Sequence, residues 1–245
     1  LKTAAVVTVT NGKRPWELAN CIASVKAQTY PCQHYILCDQ DFNKFAELKR
    51  LYPEVILCYW DAKIGGDGWL GQRWYAAAPQ LITEDVTFFC NDDDWYEENH
   101  VQTIMEKIEE GYDWSYSFRK VCDSKGAFLF NDNCEALGEA SPVWVDPNHH
   151  FVDWCMWGMK TECLKKISPV LNNKDIAVDR YFYALAKQAF PKFAATLKHT
   201  FNFRLGGGCG VQKEFFEMGN AEMLKRHNGV LPWVINDYII DQSQA

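Results

Sequence analysis

The run Val86-Thr87-Phe88-Phe89-Cys90-Asn91-Asp92-Asp93-Asp94-Trp95-Tyr96 is an apolar stretch that drives into three consecutive carboxylates and then two aromatics. Adjacent aspartates at the end of a buried strand repel one another and resist desolvation, so the pattern demands compensation. A hard divalent cation supplies it, and such cations commonly sit where substrate phosphates complete the coordination shell. Taken alone, the run is equally an exposed acidic turn with Asp94 capping the next helix. Its surroundings decide between the two.

Outward from this run, the first half of the chain alternates strands and helices. Ala4–Thr10 is a short β-branched run of the kind buried on both faces. Asn11-Gly12-Lys13-Arg14 turns, and Pro15 opens a helix predicted to reach Gln28, with Leu18, Cys21, Ile22 and Val25 as its apolar stripe. Residues 34–38, ending at Asp39, and 55–60 are further strands, with a helix over Phe42–Leu51 between them. The cluster Gly65-Gly66-Asp67-Gly68, with Gly71, leads into a helix running through Arg73 to Leu81, and 97–109 is the helix after the acidic run. Four such steps predict an α/β fold, a mostly parallel sheet with helices on both faces. Sheets of that kind bind ligands beyond the carboxyl ends of their strands. Asn11, Asp39 and the three aspartates all fall there, which argues for one site.

Past Gly111 the pattern changes. Residues 114–121 and 127–130 read as a hairpin around Asp123-Ser124-Lys125-Gly126. Residues 141–157 are aromatic and irregular, 161–167 and 178–188 look helical, and 193–203 is a late strand. A glycine run, Gly206-Gly207-Gly208 with Gly210, precedes a helix over 213–227. With no repeat and no linker, residues 1–245 read as a single domain. Its first half, 1–110, carries the ligand-binding strand ends, and 111–245 reads as an acceptor-facing elaboration of α+β character.

Bulk properties exclude several classes. Apolar residues at 48% and charged residues at 23% fit an ordinary globular chain long enough for one large core. A net charge of −7 without a dense Lys/Arg run argues against a broad polyanion-binding surface, so a nucleic-acid partner is disfavoured though not excluded. Ten cysteines without a CxxC pair do not read as a disulfide framework or a zinc site. With no apolar run near the length of a membrane span, the expectation is a reduced, cytoplasmic protein.

In order and spacing, these residues resemble the GT-A fold nucleotide-sugar glycosyltransferases of the large family-2-like group. The resemblance rests on Val7-Thr8-Val9-Thr10-Asn11, on Leu18 to Val25 with Gln28-Thr29-Tyr30, on 34–39, and on Phe88 to Tyr96 as the strand carrying that family's DxD motif. It covers most of 4–105 and, more weakly, 155–210. It implies a Rossmann-like sheet, a nucleotide-diphospho-sugar donor, a hydroxyl acceptor, and Mn²⁺ or Mg²⁺ as cofactor. The same resemblance makes 1–110 the nucleotide-binding half and 111–245 the acceptor-binding half. Thr10, Asn11 and Arg14 would border the nucleotide, with Asp39 accepting from the base and Gly66 and Arg73 facing nucleotide or sugar.

In the acidic run the family's usual first Asp falls on Asn91, so the metal register is either 91–93 or 92–94. Asp93 is the preferred ligand, Asp94 the second, and Asp92 lies near the ribose or sugar. The resemblance further implies an inverting transfer with Asp179 as general base and Asp153 as second choice. Trp154, Trp157 and Met159 would wall a sugar, and Arg204 would reach phosphate ahead of a glycine lid. Alternatives are a nucleotidyltransferase on a related sheet, a non-catalytic carbohydrate-binding relative, and transfer to a modified nucleobase rather than to a saccharide or lipid.

Overall fold

The computed structural model describes residues 1–39, 42–60, 62–65, 68–207 and 210–234. The first half forms β1 (Ala4–Thr10), α1 (Pro15–Lys26), β2 (Cys32–Asp39), α2 (Phe42–Leu51), β3 (Ile56–Trp60), α3 (Gln72–Ala77), β4 (Val86–Phe89), β5 (Trp95–Tyr96) and α4 (His100–Glu109). The second half adds β6 (Trp114–Cys122), β7 (Phe128–Asn131), β8 (Trp157–Lys160), α5 (Thr161–Ile167), α6 (Val178–Ala189), β9 (Phe193–Arg204) and α7 (Lys213–Arg226).

Among the described residues one nine-stranded sheet takes strands from both halves, in the order β3-β2-β1-β4-β8-β6-β9-β5, with β7 paired to β6. Strands β1 to β4 are mutually parallel. Strand β8 lies antiparallel to both β4 and β6, so β6 and its parallel neighbour β9 run with the first four. The expected mostly parallel α/β sheet is therefore present, and its register sets the site. Thr10 pairs with Cys38, and Val7 with Phe89, which brings the ends of β1, β2 and β4 to one edge.

Local chemistry moves three of the expected boundaries. Helix α1 stops at Lys26, and the Gln28 amide instead donates to the carbonyls of Ser24 (2.9 Å) and Glu97 (2.8 Å), closing the helix end. The helix after the acidic run starts at His100 rather than at 97, because Trp95 and Tyr96 pair with β9 and the Glu97 amide donates to the Thr200 carbonyl. The helix expected over 73–81 is α3 followed by a 3₁₀ turn over Ala78–Leu81, where Pro79 cannot donate to the ladder.

Strand β8 is hidden in the aromatic stretch by its composition. Gly158 lies where a side chain would collide with the Phe88 ring, so β4 and β8 pair closely only with glycine there. Most of the nearby aromatics are core. Trp114 stacks on Phe193 at 4.3 Å and meets Trp157 at 4.9 Å, and Trp157 meets Phe182 at 4.9 Å. No described helix is long and apolar enough to cross a membrane.

Candidate active site

A cavity of about 400 Å³ opens at the joined ends of β1, β2 and β4. Thr10, Asn11, Arg14, Asp39, Asp92, Asp93, Asp94, Asp153, Asp179 and Arg204 all line it. These side chains come from both halves of the chain, and parallel pairing is what collects them.

The acidic run is compensated from within the protein. Arg14 Nη1 lies 3.0 Å from Asp92 Oδ1 and 2.8 Å from Asp93 Oδ2, and the Thr10 hydroxyl donates to Asp92 Oδ2 at 2.7 Å. Asp94 is buried, with Oδ1 accepting from the Arg204 amide at 2.9 Å and Oδ2 from Asn91 Nδ2 at 3.1 Å. Asn91 in turn accepts from the Tyr75 hydroxyl at 3.1 Å. An aspartate at 91 would face the Asp94 carboxylate without a proton to donate, so the amide belongs to the clamp that fixes Asp94. Burial, then the neighbouring Asp93 charge, pushes the Asp94 carboxyl well up. Burial also raises Asp92, against the bonds from Thr10 and Arg14.

This arrangement bears on the expected metal ligands. Asp94 has both oxygens committed inside the protein and is not free to bind a cation without losing those bonds. Asp93 has one oxygen, Oδ1, that no described donor reaches. Among the described residues no group of His, Cys, Asp or Glu side chains is arranged to hold a metal by itself. A hard cation held by one carboxylate and by substrate phosphates fits this donor set; a cage made only of protein ligands does not.

Asp39 is as much a structural as a lining residue. Its Oδ1 accepts from the amides of Ile64 and Gly65, both at 2.9 Å, and from Trp74 Nε1 at 3.2 Å, fixing the loop before α3. No described donor reaches its Oδ2. Arg204 is similarly pinned: Nε donates to the Asp93 carbonyl at 2.8 Å, Nη1 to the Ser124 carbonyl at 3.2 Å, and the guanidinium lies 4.8 Å from the Trp95 ring centre. Beyond it, Gly207 approaches so closely that any side chain there would collide with the Asp93 carboxylate.

Asp179 sits in the first turn of α6 and lines the same cavity, while Ala177, not Asp179, occupies the N-cap position. Burial, then the Asp153 charge, raises the Asp179 carboxyl to about 7. Asp153 caps a 3₁₀ turn by accepting from the Cys155 amide at 2.9 Å, and Arg119 Nη1 lies 3.6 Å from it. Burial raises the Asp153 carboxyl, and the Arg119 charge opposes that rise.

Arg73, Trp157 and Met159 fall outside the cavity lining. Arg73 is exposed and packs its guanidinium 3.7 Å from the Trp69 ring centre, because α3 turns Gln72, Trp74 and Tyr75 inward instead. Trp157 is core, as is Met159, which leaves Trp154 as the tryptophan that lines the cavity. Gly66 lies outside the described residues.

Two contributors escaped the sequence reading. Gln72 is buried in the wall and donates Nε2 to the Asp175 carbonyl at 3.2 Å, which fixes its amide orientation and leaves Oε1 without a partner. Tyr75 holds Asn91. An i, i+3 polar–aromatic pair on so short a helix carries no signal that would have found them.

The arrangement is that of the GT-A fold: a curled, mostly parallel sheet flanked by helices, with an acidic strand end facing a cavity. Solved structures agree on the fold. The crystal structure of S. aureus TarS 1–349 in complex with UDP superposes with a TM-score of 0.64 at 13% identity, covering 91% of this chain and 66% of that one. The complex of the same fragment with UDP-GlcNAc gives 0.62 at 14% identity, covering 91% and 67%. Against the longer S. aureus TarS chain the TM-score is 0.61, and the match spans 40% of that chain. No protein-family model matches this sequence, and no curated protein sequence is similar to it.

Proposed function

We propose that this chain is an inverting glycosyltransferase that moves a hexosyl or pentosyl unit from a uridine-diphospho-sugar to a hydroxyl acceptor. The observation that carries the reading is one cavity lined by three strand ends, an acidic run, and the Asp179 carboxyl, which burial raises to about 7. The fold neighbours crystallised with UDP and UDP-GlcNAc support the choice of donor.

In this reading the nucleoside lies against Thr10, Asn11 and Asp39, and the diphosphate lies at the acidic run. Three carboxylates there would repel a diphosphate, so positive charge is required. Arg14 supplies part of it from within the chain. Mn²⁺ or Mg²⁺ held by Asp93 and the phosphates would supply Lewis-acid stabilisation of the leaving diphosphate. Asp179 takes the proton of the acceptor hydroxyl as its oxygen bonds to the anomeric carbon and the bond to the diphosphate breaks on the opposite face. A carboxyl group near 7 suits that task, because the best general base has a pKa near the working pH. A reducing, cytoplasmic setting belongs to the same proposal, supported by the nine described cysteines, all thiols.

Thermal unfolding with UDP and UDP-sugars, with and without Mn²⁺, tests the donor assignment, since a ligand of the folded state raises its stability. A rise with UDP that grows with Mn²⁺ is expected. No rise with any nucleotide diphosphate overturns the reading.

A further inference from the structure

A second cavity, of about 420 Å³, shares Arg204 with the first. Trp16, Glu17 and Asn20 of α1 line it, together with Ser124, Lys125 and Gly126 of the β6–β7 turn. Trp95 and Arg204 line it as well, and Arg204 is common to both cavities. We infer that this groove is the subsite for a saccharide acceptor, an assignment that rests on the transfer reading above.

Trp16 is 86% exposed, and no described ring or cation packs against it. A lone exposed apolar residue needs no explanation, but a second tryptophan in the same cavity makes the placement informative. Trp95 is half-buried and held in place by Arg204. The two rings offer flat apolar platforms of the kind that the C–H faces of pyranose rings cover.

The polar lining discriminates further. Asn20 and Ser124 both donate and accept, Glu17 accepts, and Lys125 donates. Sugar hydroxyls, which themselves donate and accept, match such a mixture. A polyanion would call for cations throughout, and Glu17 stands against it.

The groove is also preformed. Asp123 Oδ1 accepts from the amides of Lys125 and Ala127, both at 2.8 Å, which fixes the turn. Gly126 has φ +89°, and a Cβ there would stand 3.3 Å from Arg204 Nη1 and 3.5 Å from Trp95 Cη2. Glycine therefore lets the turn close on the Trp95–Arg204 pair. Because Arg204 also bonds the Asp93 carbonyl, a chain lying in the groove ends beside the acidic corner where the donor sugar is expected.

The test uses protein carrying 5-fluorotryptophan, with the Trp16 and Trp95 ¹⁹F resonances assigned from W16F and W95F. Maltotriose, chitotriose and trigalacturonate are titrated separately to about 10 mM, a range that reaches weak single-site binding. The expected result is a saturable shift of the Trp16 and Trp95 signals with maltotriose or chitotriose. W16A should weaken that binding about tenfold. W16A removes only an exposed ring, so its UDP-dependent rise in melting temperature should equal that of the wild type. Shifts with trigalacturonate alone would overturn the neutral-saccharide assignment. So would no shift with any of the three sugars, or binding untouched by W16A. Loss of the UDP effect in the wild type would instead strike the donor reading, and the sugar titration reports independently of it.

Discussion

Two clusters of three carboxylates with an arginine both reach the cavity lining, and they are built to opposite ends. At the edge of the sheet, Asp92, Asp93 and Asp94 face a cavity, and their arginine, Arg14, is 37% exposed at its side chain. In the other cluster, Arg119 is 5% exposed at its side chain. It bonds Asp132 at 2.8 Å and Glu135 at 2.8 Å, lies 3.6 Å from Asp153, and sits over the Phe203 and Phe216 rings. Arg180 completes that cluster through Glu135 at 3.0 Å. The inner cluster is closed by contacts within the protein, whereas the outer one keeps an oxygen on Asp93 that no described donor reaches. Asp153 belongs to the inner cluster yet lines the cavity, and its charge acts on Asp179 together with those of Arg180 and Glu135. The contrast separates an ion cluster that organises the fold from one that is open to a ligand.

Breaking the inner cluster should have the largest effect. R119M leaves Asp132, Glu135 and Asp153 buried without their main counter-charge, and removing one partner of a buried pair destabilises by about 3–5 kcal/mol. Urea denaturation should show that loss. An equal loss from R14M would erase the distinction between the clusters.

Next in size is D179N, which keeps the shape of the first turn of α6 but removes the proton acceptor. Transfer should fall by about 10²–10⁴-fold with the UDP-dependent melting shift retained. For wild type the base must be ionised, so kcat should rise with pH through about 7. Burial is the main cause of that raised value, and the Asp153 charge adds to it. D153N removes the added repulsion, so the acid limb of its pH–rate profile should move to lower pH. An unmoved limb would show that the inner cluster does not reach the base.

How far the sequence foretold these two clusters differs for a physical reason. The outer one was legible because it is contiguous: β-branched runs ending in polar residues mark strand ends, and parallel pairing must gather such ends at one edge. Asn11, Asp39 and the aspartates followed directly, whereas Thr10 and Arg14 came only with the family resemblance. The inner cluster joins residues 119, 132, 135, 153 and 180, whose approach depends on strand β8 and on how the second-half helices pack. Nothing local to Arg119 in its strand reveals the carboxylates that surround it. Arg73 and Trp157 failed for the same reason. A helix of six residues has no apolar stripe long enough to fix its rotation, so Gln72 rather than Arg73 faces the cavity. Tryptophan in an aromatic-rich stretch serves a core and a sugar site equally well, and only the pairing of β8 with β4 and β6 places Trp157 in the core.

A smaller effect is expected at Asp93. D93N keeps the side-chain shape but lowers the charge of the one carboxylate in the run with an uncommitted oxygen. UDP alone should still raise the melting temperature, while the extra rise from Mn²⁺ should vanish. Retention of that increment would place the cation elsewhere.

The smallest effect belongs to R14M, where solvent screening of a partly exposed guanidinium limits the loss at pH 7 to about 1 kcal/mol. The sign of its pH dependence is fixed by Asp92. Burial raises that carboxyl above its unfolded value, with the bonds from Thr10 and Arg14 opposing the rise. A carboxyl raised in the folded state favours folding while it is protonated, and that contribution is lost as pH climbs through its folded value. Removing Arg14 raises Asp92 further, so the variant loses more stability than wild type as pH increases from about 4 to neutrality. The two proteins should therefore converge at acidic pH, where the carboxylates are protonated and need no counter-charge. The urea midpoint measured across that range checks this, and a gap that widens on acidification would show that Arg14 is held by packing rather than by the acidic run. Convergence would mark Arg14 as the run's own counter-ion, in competition with any cation that arrives with a diphosphate.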